Sequence, residues 1–333
     1  MKHCWTAGSL FSGAGGMCLG FERAGFRTLW AVENDPYAAA TFRNNFTQTP
    51  LLERDVKTVE IRKDQLSEVD VLHAGFPCQS FSGAGARKGL DDPRGQLFFE
   101  ITRIIREFGE KRPSVLLLEN APFLRYGEKG SWFLRIQREI QKAGYWFRDG
   151  NATEINTSDL TVLPQSRTRL YMAAFATNQF RNGRFLFPEP DQQKTNKPLD
   201  EYIDFEGCQE DSYYLSTENR YYHMIARQAD QKRRLYHLRK YYVRPISENS
   251  CPTLTANMGM GGHNVPFLYD ACGLRKMTER ECARLQGFPD NFEFPEVITG
   301  AKRYMQIGNS VSLPVVESIA ERLKRKIDEE RNQ

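Results

Sequence analysis

Trp5-Thr-Ala-Gly-Ser-Leu-Phe-Ser-Gly-Ala-Gly-Gly16 is the stretch whose reading decides the fold. Trp5 to Phe11 reads as a first strand. Ser12 to Gly16 (SGAGG) follows it directly and opens a helix over 16–25 that ends at Gly25. Glycines let a backbone approach a ligand closely, and a helix N-terminus faces negative charge. The spacing is GxGG rather than GxGxxG, with Cys at position 18. Glu33 closes a second strand over 28–32, and an acid there can accept hydrogen bonds from ribose hydroxyls. A tight turn with no ligand satisfies the same pattern, and on this stretch alone a nicotinamide dinucleotide stays open.

Outward from this point the chain alternates strand and helix to about residue 178. Residues 36–46 read as a helix, begun by the Asp-Pro of Asn34-Asp-Pro-Tyr37. Asp70 to Ala74 (DVLHA) and Val115 to Leu118 (VLLL) are short apolar runs, suited to strands covered on both faces. Helices are expected at 95–109 and 131–143, and another strand at 171–176. This order predicts a doubly wound α/β domain with ligands at the carboxyl ends of its strands. Residues 314–330 predict an amphipathic helix with Val315, Ile319, Leu323 and Ile327 on one face.

The 333 residues suffice for roughly two domains. Hydrophobic residues make up 40% and charged ones 26%, which excludes a fibrous or mostly disordered chain. No apolar run approaches the length of a membrane span, and the first ten residues do not read as a secretory signal. The seven cysteines form no CxxC pair, so neither a metal site nor a disulfide framework is expected, and a reducing cytoplasm is the simplest home. The net charge of +4 says less than its distribution. Residues 219–244 carry eight Lys/Arg and one acid among five tyrosines, whereas residues 190–218 carry eight acids and two lysines. The chain changes character near 180 and again near 245.

Three further groups carry chemistry. Gly75-Phe-Pro-Cys-Gln-Ser-Phe-Ser82 follows DVLHA, which puts Cys78 at the carboxyl edge of the sheet. Only a few per cent of an ordinary thiol is thiolate at neutral pH, so a nucleophilic cysteine needs activation. Glu119 ends the strand VLLL, and Gln165-Ser-Arg-Thr-Arg169 precedes a further strand. Arg167 and Arg169 lie two apart, on one side if the segment is extended. A thiol, a carboxyl group and two guanidinium groups would then converge on one cleft. Structural readings compete: Glu119 as a helix cap, the arginines as surface ions.

Eight blocks in order then resemble the DNA (cytosine-5)-methyltransferase family of bacterial and phage modification type. They are SLFSGAGG (9–16), GFPCQSFS (75–82), DDPRGQLF (91–98), ENAP (119–122), QSRTR (165–169), PTLTA (252–256), RECARLQGFPD (280–290) and QIGNSV (306–311). The resemblance implies a Rossmann-like S-adenosylmethionine-dependent catalytic domain over 1–180 and a smaller, mostly irregular target-recognition domain over 181–295. Residues 296–333 would return to the first domain. It implies methyl transfer to carbon 5 of a cytosine flipped out of a short specific sequence in duplex DNA, with S-adenosylhomocysteine as product.

By the same match Cys78 attacks carbon 6, Glu119 protonates ring nitrogen 3, Arg169 meets the cytosine carbonyl oxygen and Arg167 steadies the cysteine loop. Phe11, Gly13, Gly15, Glu33, Asp55, Val56, Pro77, Leu97 and Asn309 fall at cofactor positions. Gln79, Ser82, Arg87, Lys88, Arg233, Arg234, Arg239 and Thr253 are the expected DNA contacts. Duplex DNA is the expected partner of a monomer, and the resemblance allows a separately acting restriction endonuclease. Departures are small: Ser9 stands where many members have Asp, Asn34 where an aromatic often contacts the cofactor, and ENA where ENV is commoner. The tRNA-methylating branch, which usually carries a Cys-Phe-Thr signature absent here, and an inactive DNA-binding relative are the alternatives.

Overall fold

A computed structural model describes residues 4–77, 95–191, 194–228, 233–239, 241–261 and 263–332. In chain order the first elements are β1 (Trp5–Leu10), α1 (Gly16–Arg23), β2 (Phe26–Glu33), α2 (Pro36–Asn45), β3 (Leu51–Glu53) and β4 (Val71–Gly75). Then come α3 (Leu97–Phe108), β5 (Val115–Asn120), α4 (Phe123–Tyr126), α5 (Ser131–Lys142), β6 (Tyr145–Trp146), β7 (Ala152–Asn156), α6 (Thr157–Leu160) and β8 (Thr168–Ala176). The rest are α7 (Arg220–Ala226), β9 (Tyr236–Leu238), β10 (Val243–Pro245), β11 (Phe267–Asp270), β12 (Gly273–Lys276), α8 (Glu279–Leu285), α9 (Gly300–Asn309) and α10 (Leu313–Arg331). The chain forms two compact units. One comprises Met1–Ile155, Thr168–Glu189 and Pro314–Gln333; the other comprises Asn156–Arg167 and Pro190–Leu313.

The first unit is built on a sheet of order β3-β2-β1-β4-β5-β8-β6, with β7 also pairing β8. Neighbours from β3 to β5 are parallel, while β8 runs antiparallel to both β5 and β6. Every residue of β5 is buried, as expected for a strand covered on both faces. Helix α3 buries Phe98, Ile101, Ile104, Ile105 and Phe108 at three- and four-residue spacing. Each such side chain contributes about 1.5–3 kcal/mol when fully buried. Val315, Ile319, Leu323 and Ile327 of α10 are all buried, as their periodicity predicts. Asp35 caps α2, its carboxylate accepting from the backbone N–H groups of Tyr37 and Ala38. The expected strand over 171–176 begins earlier, at Thr168. Strands β3, β6 and β7 were not expected: β3 and β6 span three and two residues, and β7 (ATEIN) has no continuous apolar run.

The second unit contains an antiparallel sheet of order β10-β9-β11-β12. The helix beginning in the basic stretch stops at Ala226, and Tyr236–Leu238 and Val243–Pro245 pair as a hairpin. Ile225, Tyr236, Leu238, Val243, Phe267 and Leu274 form a small core there. One correction concerns sulfur. Cys208 and Cys272 are joined as a disulfide, with Cα atoms 5.5 Å apart. The turn between β11 and β12 brings together residues 64 apart in sequence, which spacing alone does not reveal.

Candidate active site

Because β3, β2, β1, β4 and β5 are parallel, the segments after all five emerge at one edge. The chain leaves β1 for β2 on one side and reaches β4 on the other, so this edge holds the topological switch point. Phe11, Gly13 and Gly15 follow β1, all with positive φ (55°, 57° and 95°). The loop is pinned to β2 by the Ser12 N–H, which donates to the Val32 carbonyl at 3.0 Å. At Gly15 an added Cβ would lie 2.1 Å from the Phe46 ring, so packing requires glycine. At Gly13 an added Cβ would meet nothing within 4 Å, so the backbone there faces open space.

Glu33 ends β2 beside that opening. Its carboxylate accepts from Gly13 N at 2.7 Å, Asp35 N at 2.8 Å and Asn34 N at 2.9 Å. Burial raises its pKa above the usual glutamate range, against these hydrogen bonds, which lower it. The Arg54 N–H donates to the Glu33 carbonyl at 2.9 Å, bringing Asp55 and Val56 to the same edge. Asp55 caps the following turn and Val56 is buried in the core. Pro77 and Leu97 are half-buried, the latter at the start of α3.

Glu119 pairs in register with Gly75, three residues before Cys78. It is 9% exposed, and its Oε1 lies 3.2 Å from Nε of Arg169 on β8. Charge-assisted pairing of this kind fixes both groups in orientation. Cys78, Gln79, Ser82, Arg87 and Lys88 lie outside the described residues. Of the described cysteines, only Cys4 is both free and exposed. Burial pushes Cys18 up to about 12 and raises Cys251 and Cys282, and Cys208 and Cys272 are bonded.

Asn120 was missed by sequence reasoning. It is buried at the end of β5, and its Nδ2 donates to the Phe76 carbonyl at 3.0 Å. It therefore holds the backbone that leads into Cys78. The available signal was a polar amide at the end of the strand, after the apolar run Val115–Leu118 and Glu119, where Asn is disfavoured. Asn120→Ala is expected to cost about 1–3 kcal/mol, read from the urea midpoint, and to lower kcat by more than the lost stability explains.

Arg167 and Arg169 serve different partners. Arg167 belongs to the second unit, is buried, and donates to the carbonyls of Leu254 (2.6 Å), Gly308 (3.3 Å) and Ser310. Gln165, equally buried, donates to the Leu285 carbonyl at 2.8 Å. Thr253 Oγ1 donates to the Ser166 carbonyl at 2.6 Å, and Asn309 is exposed at the end of α9. Two of the expected DNA contacts face carboxylates: Arg233 pairs with Asp200 and Glu206, and Arg234 with Glu248 at 2.7 Å. Arg239 has no carboxylate within 4.0 Å among the described residues, and the neighbouring Tyr241 is 78% exposed.

A doubly wound sheet with an open glycine loop and a buried acid at its switch point defines a Rossmann-like methyltransferase fold. The chain belongs to the C-5 cytosine-specific DNA methylases, whose family model matches residues 5–325, and it is accordingly a DNA cytosine-5-methyltransferase. It is 38% identical over 319 residues to the Type II methyltransferase M.Bsp6I of Bacillus sp. (strain RFL6), covering 95% of this chain and 97% of that one. It is 34% identical to M.NlaX of Neisseria lactamica, covering 95% of both. The fold matches the crystal structure of the S. pombe Dnmt2 methyltransferase with TM-score 0.74 at 21% identity, over 97% of this chain and 99% of that one. No described helix is long and apolar enough to cross a membrane.

Proposed function

We propose that this enzyme methylates carbon 5 of a cytosine extruded from a short specific sequence in duplex DNA, through a covalent bond to Cys78. The observation that carries the reading is the Glu119–Arg169 pair at the strand edge, in register with Gly75, three residues before Cys78 in sequence. Extrusion costs a few kcal/mol, met by contacts to the flipped base. The Cys78 thiolate adds to carbon 6, which breaks the ring's conjugation. Glu119, in its protonated form when the base is bound, gives a proton to ring nitrogen 3, and Arg169 donates to the carbonyl oxygen. Carbon 5 then has enamine character and accepts a methyl group. A base such as water takes the carbon 5 proton, ring nitrogen 3 returns its proton to Glu119, and the thiolate leaves, restoring the ring and the free cysteine.

The residues present fit S-adenosylmethionine. The backbone at Gly13 is open where a side chain would intrude, and the Glu33 carboxylate stands beside it as a ribose acceptor. When bound, the cofactor supplies an electrophilic methyl group and departs as S-adenosylhomocysteine. Phe11, Gly13, Gly15, Glu33, Asp55, Val56, Pro77 and Leu97 of the first unit would hold it. The Type II relatives favour a modification enzyme acting beside a separate restriction endonuclease on duplex DNA. The similarity to Dnmt2, at its low identity, speaks to fold alone.

A proton on Glu33 would take up the acceptor position left open for a ribose hydroxyl, and burial raises its pKa. Cofactor affinity should therefore fall on acidification at a pH above the ordinary glutamate range. Glu33→Gln should bind more weakly and lose that pH dependence, as checked by calorimetric titration. The reaction itself is tested with duplex DNA carrying 5-fluorocytosine, in which the carbon 5 proton is replaced and release is blocked. A denaturation-resistant adduct containing Cys78 is expected. Normal DNA binding without an adduct would defeat the covalent mechanism, and preference for tRNA in methyl transfer would defeat the substrate.

A further inference from the structure

The first unit carries a second, strongly basic groove of about 970 Å³. Arg148, Arg181, Arg184, Arg322, Arg325 and Lys326 line it, with Glu329 the one acid among its lining residues. Six cations less one carboxylate leave +5, more than the +4 of the whole chain, so all other residues together sum to −1. Arg322, Arg325, Lys326 and Glu329 fall on one stripe of α10 at three- and four-residue spacing. The buried stripe of α10 lies elsewhere, so this face is not required by the core.

The groove is not the catalytic edge. Trp146, on its wall, pairs in register with Phe175, and Phe175 pairs with Val115 at the start of β5. Glu119 lies four residues further along β5, about 13 Å at the usual rise per residue. At the far end of α10, Arg331 reaches Asp70, just before β4 begins.

Several cations there lack a carboxylate of their own. Arg325 lies 3.8 Å from Glu321 and Lys326 lies 3.3 Å from Glu330. Arg148, Arg184 and Arg322 have no carboxylate within 4.0 Å among the described residues. Guanidinium groups match phosphate in fork geometry and are less strongly hydrated than ammonium. Self-repulsion among such groups is relieved by a polyanion with repeated charge.

We infer that this groove binds the backbone of duplex DNA, independently of the strand edge that holds Glu119. It takes DNA through phosphates and not base edges, so binding is sequence-independent and salt-sensitive. While one duplex occupies the catalytic edge, a second segment occupies the groove, giving the enzyme a path from one DNA segment to another. The two-segment consequence rests on the proposed DNA-methylating role of the catalytic edge; binding in the groove does not.

The test is the triple variant Arg148→Glu/Arg184→Glu/Arg322→Glu, two exposed positions and one half-buried, with a thermal melt to verify folding. Sedimentation at low salt with an excess of a short duplex gives the stoichiometry. Two duplexes per wild-type chain and one per variant chain are expected. The variant should also lose about 3 from the log–log salt slope of total binding, at roughly 0.9 per phosphate. One duplex on both proteins, or two on both, overturns the inference. One on the wild type and none on the variant supports the groove and counts against the catalytic-edge reading instead. Polyglutamate displacing the groove-bound duplex at equal charge concentration would assign the site to acidic protein and overturn it.

Discussion

Replacing Cys78 with alanine is expected to lower methyl transfer by about 10⁴-fold or more, the scale seen when a covalent nucleophile is removed. Carbon 5 of cytosine sits in an aromatic ring and is a poor nucleophile. In the proposed mechanism, addition of sulfur at carbon 6 converts it into an enamine-like centre. Cys18 is fully buried, with its thiol pushed up to about 12. Cys251 and Cys282 are likewise buried and raised. Under the proposed mechanism Glu119 and Arg169 would still engage the base in the variant, so DNA affinity should change little. Radiolabelled methyl transfer together with fluorescence anisotropy separates the two quantities. A parallel loss of DNA binding would give Cys78 a structural role.

The largest expected effect on stability is at Arg275 in the second unit. Its side chain is 0% exposed, as is that of Asp270, and that of Glu281 is 3% exposed. The guanidinium donates to Asp270 Oδ2 at 2.5 Å, to Glu281 Oε2 and Oε1 at 2.8 and 2.7 Å, and to the Asp204 carbonyl at 2.8 Å. Glu281 also accepts from the backbone of Thr278, which caps α8. Arg275→Met leaves two buried carboxylates without their cation, and breaking a buried pair from one side costs about 3–5 kcal/mol. Arg275→Lys keeps the charge and loses the fork, so it should fall between. Urea unfolding followed at both units measures the loss. A variant within about 0.5 kcal/mol of wild type, the range of ordinary surface substitutions, would refute the account.

Much of this was legible from local chemistry. Short apolar runs ending in Gly75, Glu119 and Glu33 announce buried parallel strands, because a strand covered on both faces has no polar alternation. Periodicity placed α10, and the Asp-Pro start of α2 followed from capping. The acidic and basic blocks around residue 218 were visible as composition, but their pairing was not: Arg233 meets Asp200 and Glu206 from more than twenty residues away. The separation of Arg167 from Arg169 was hidden for the same reason. Two residues at strand spacing predict a shared side, whereas carbonyls of Leu254, Gly308 and Ser310 draw one guanidinium and Glu119 receives the other.

By itself the sequence determined the alternation of strands and helices, the loop that opens α1, and the family to which the chain belongs. These are encoded by neighbours along the chain. Only the tertiary structure decided that β8 runs antiparallel, that Cys208 meets Cys272, that Asn120 holds the Phe76 carbonyl two residues before Cys78, and that a basic groove forms at a distance from Glu119. Each depends on residues far apart in sequence, and their proximity is set by how the whole core packs, which no short window records.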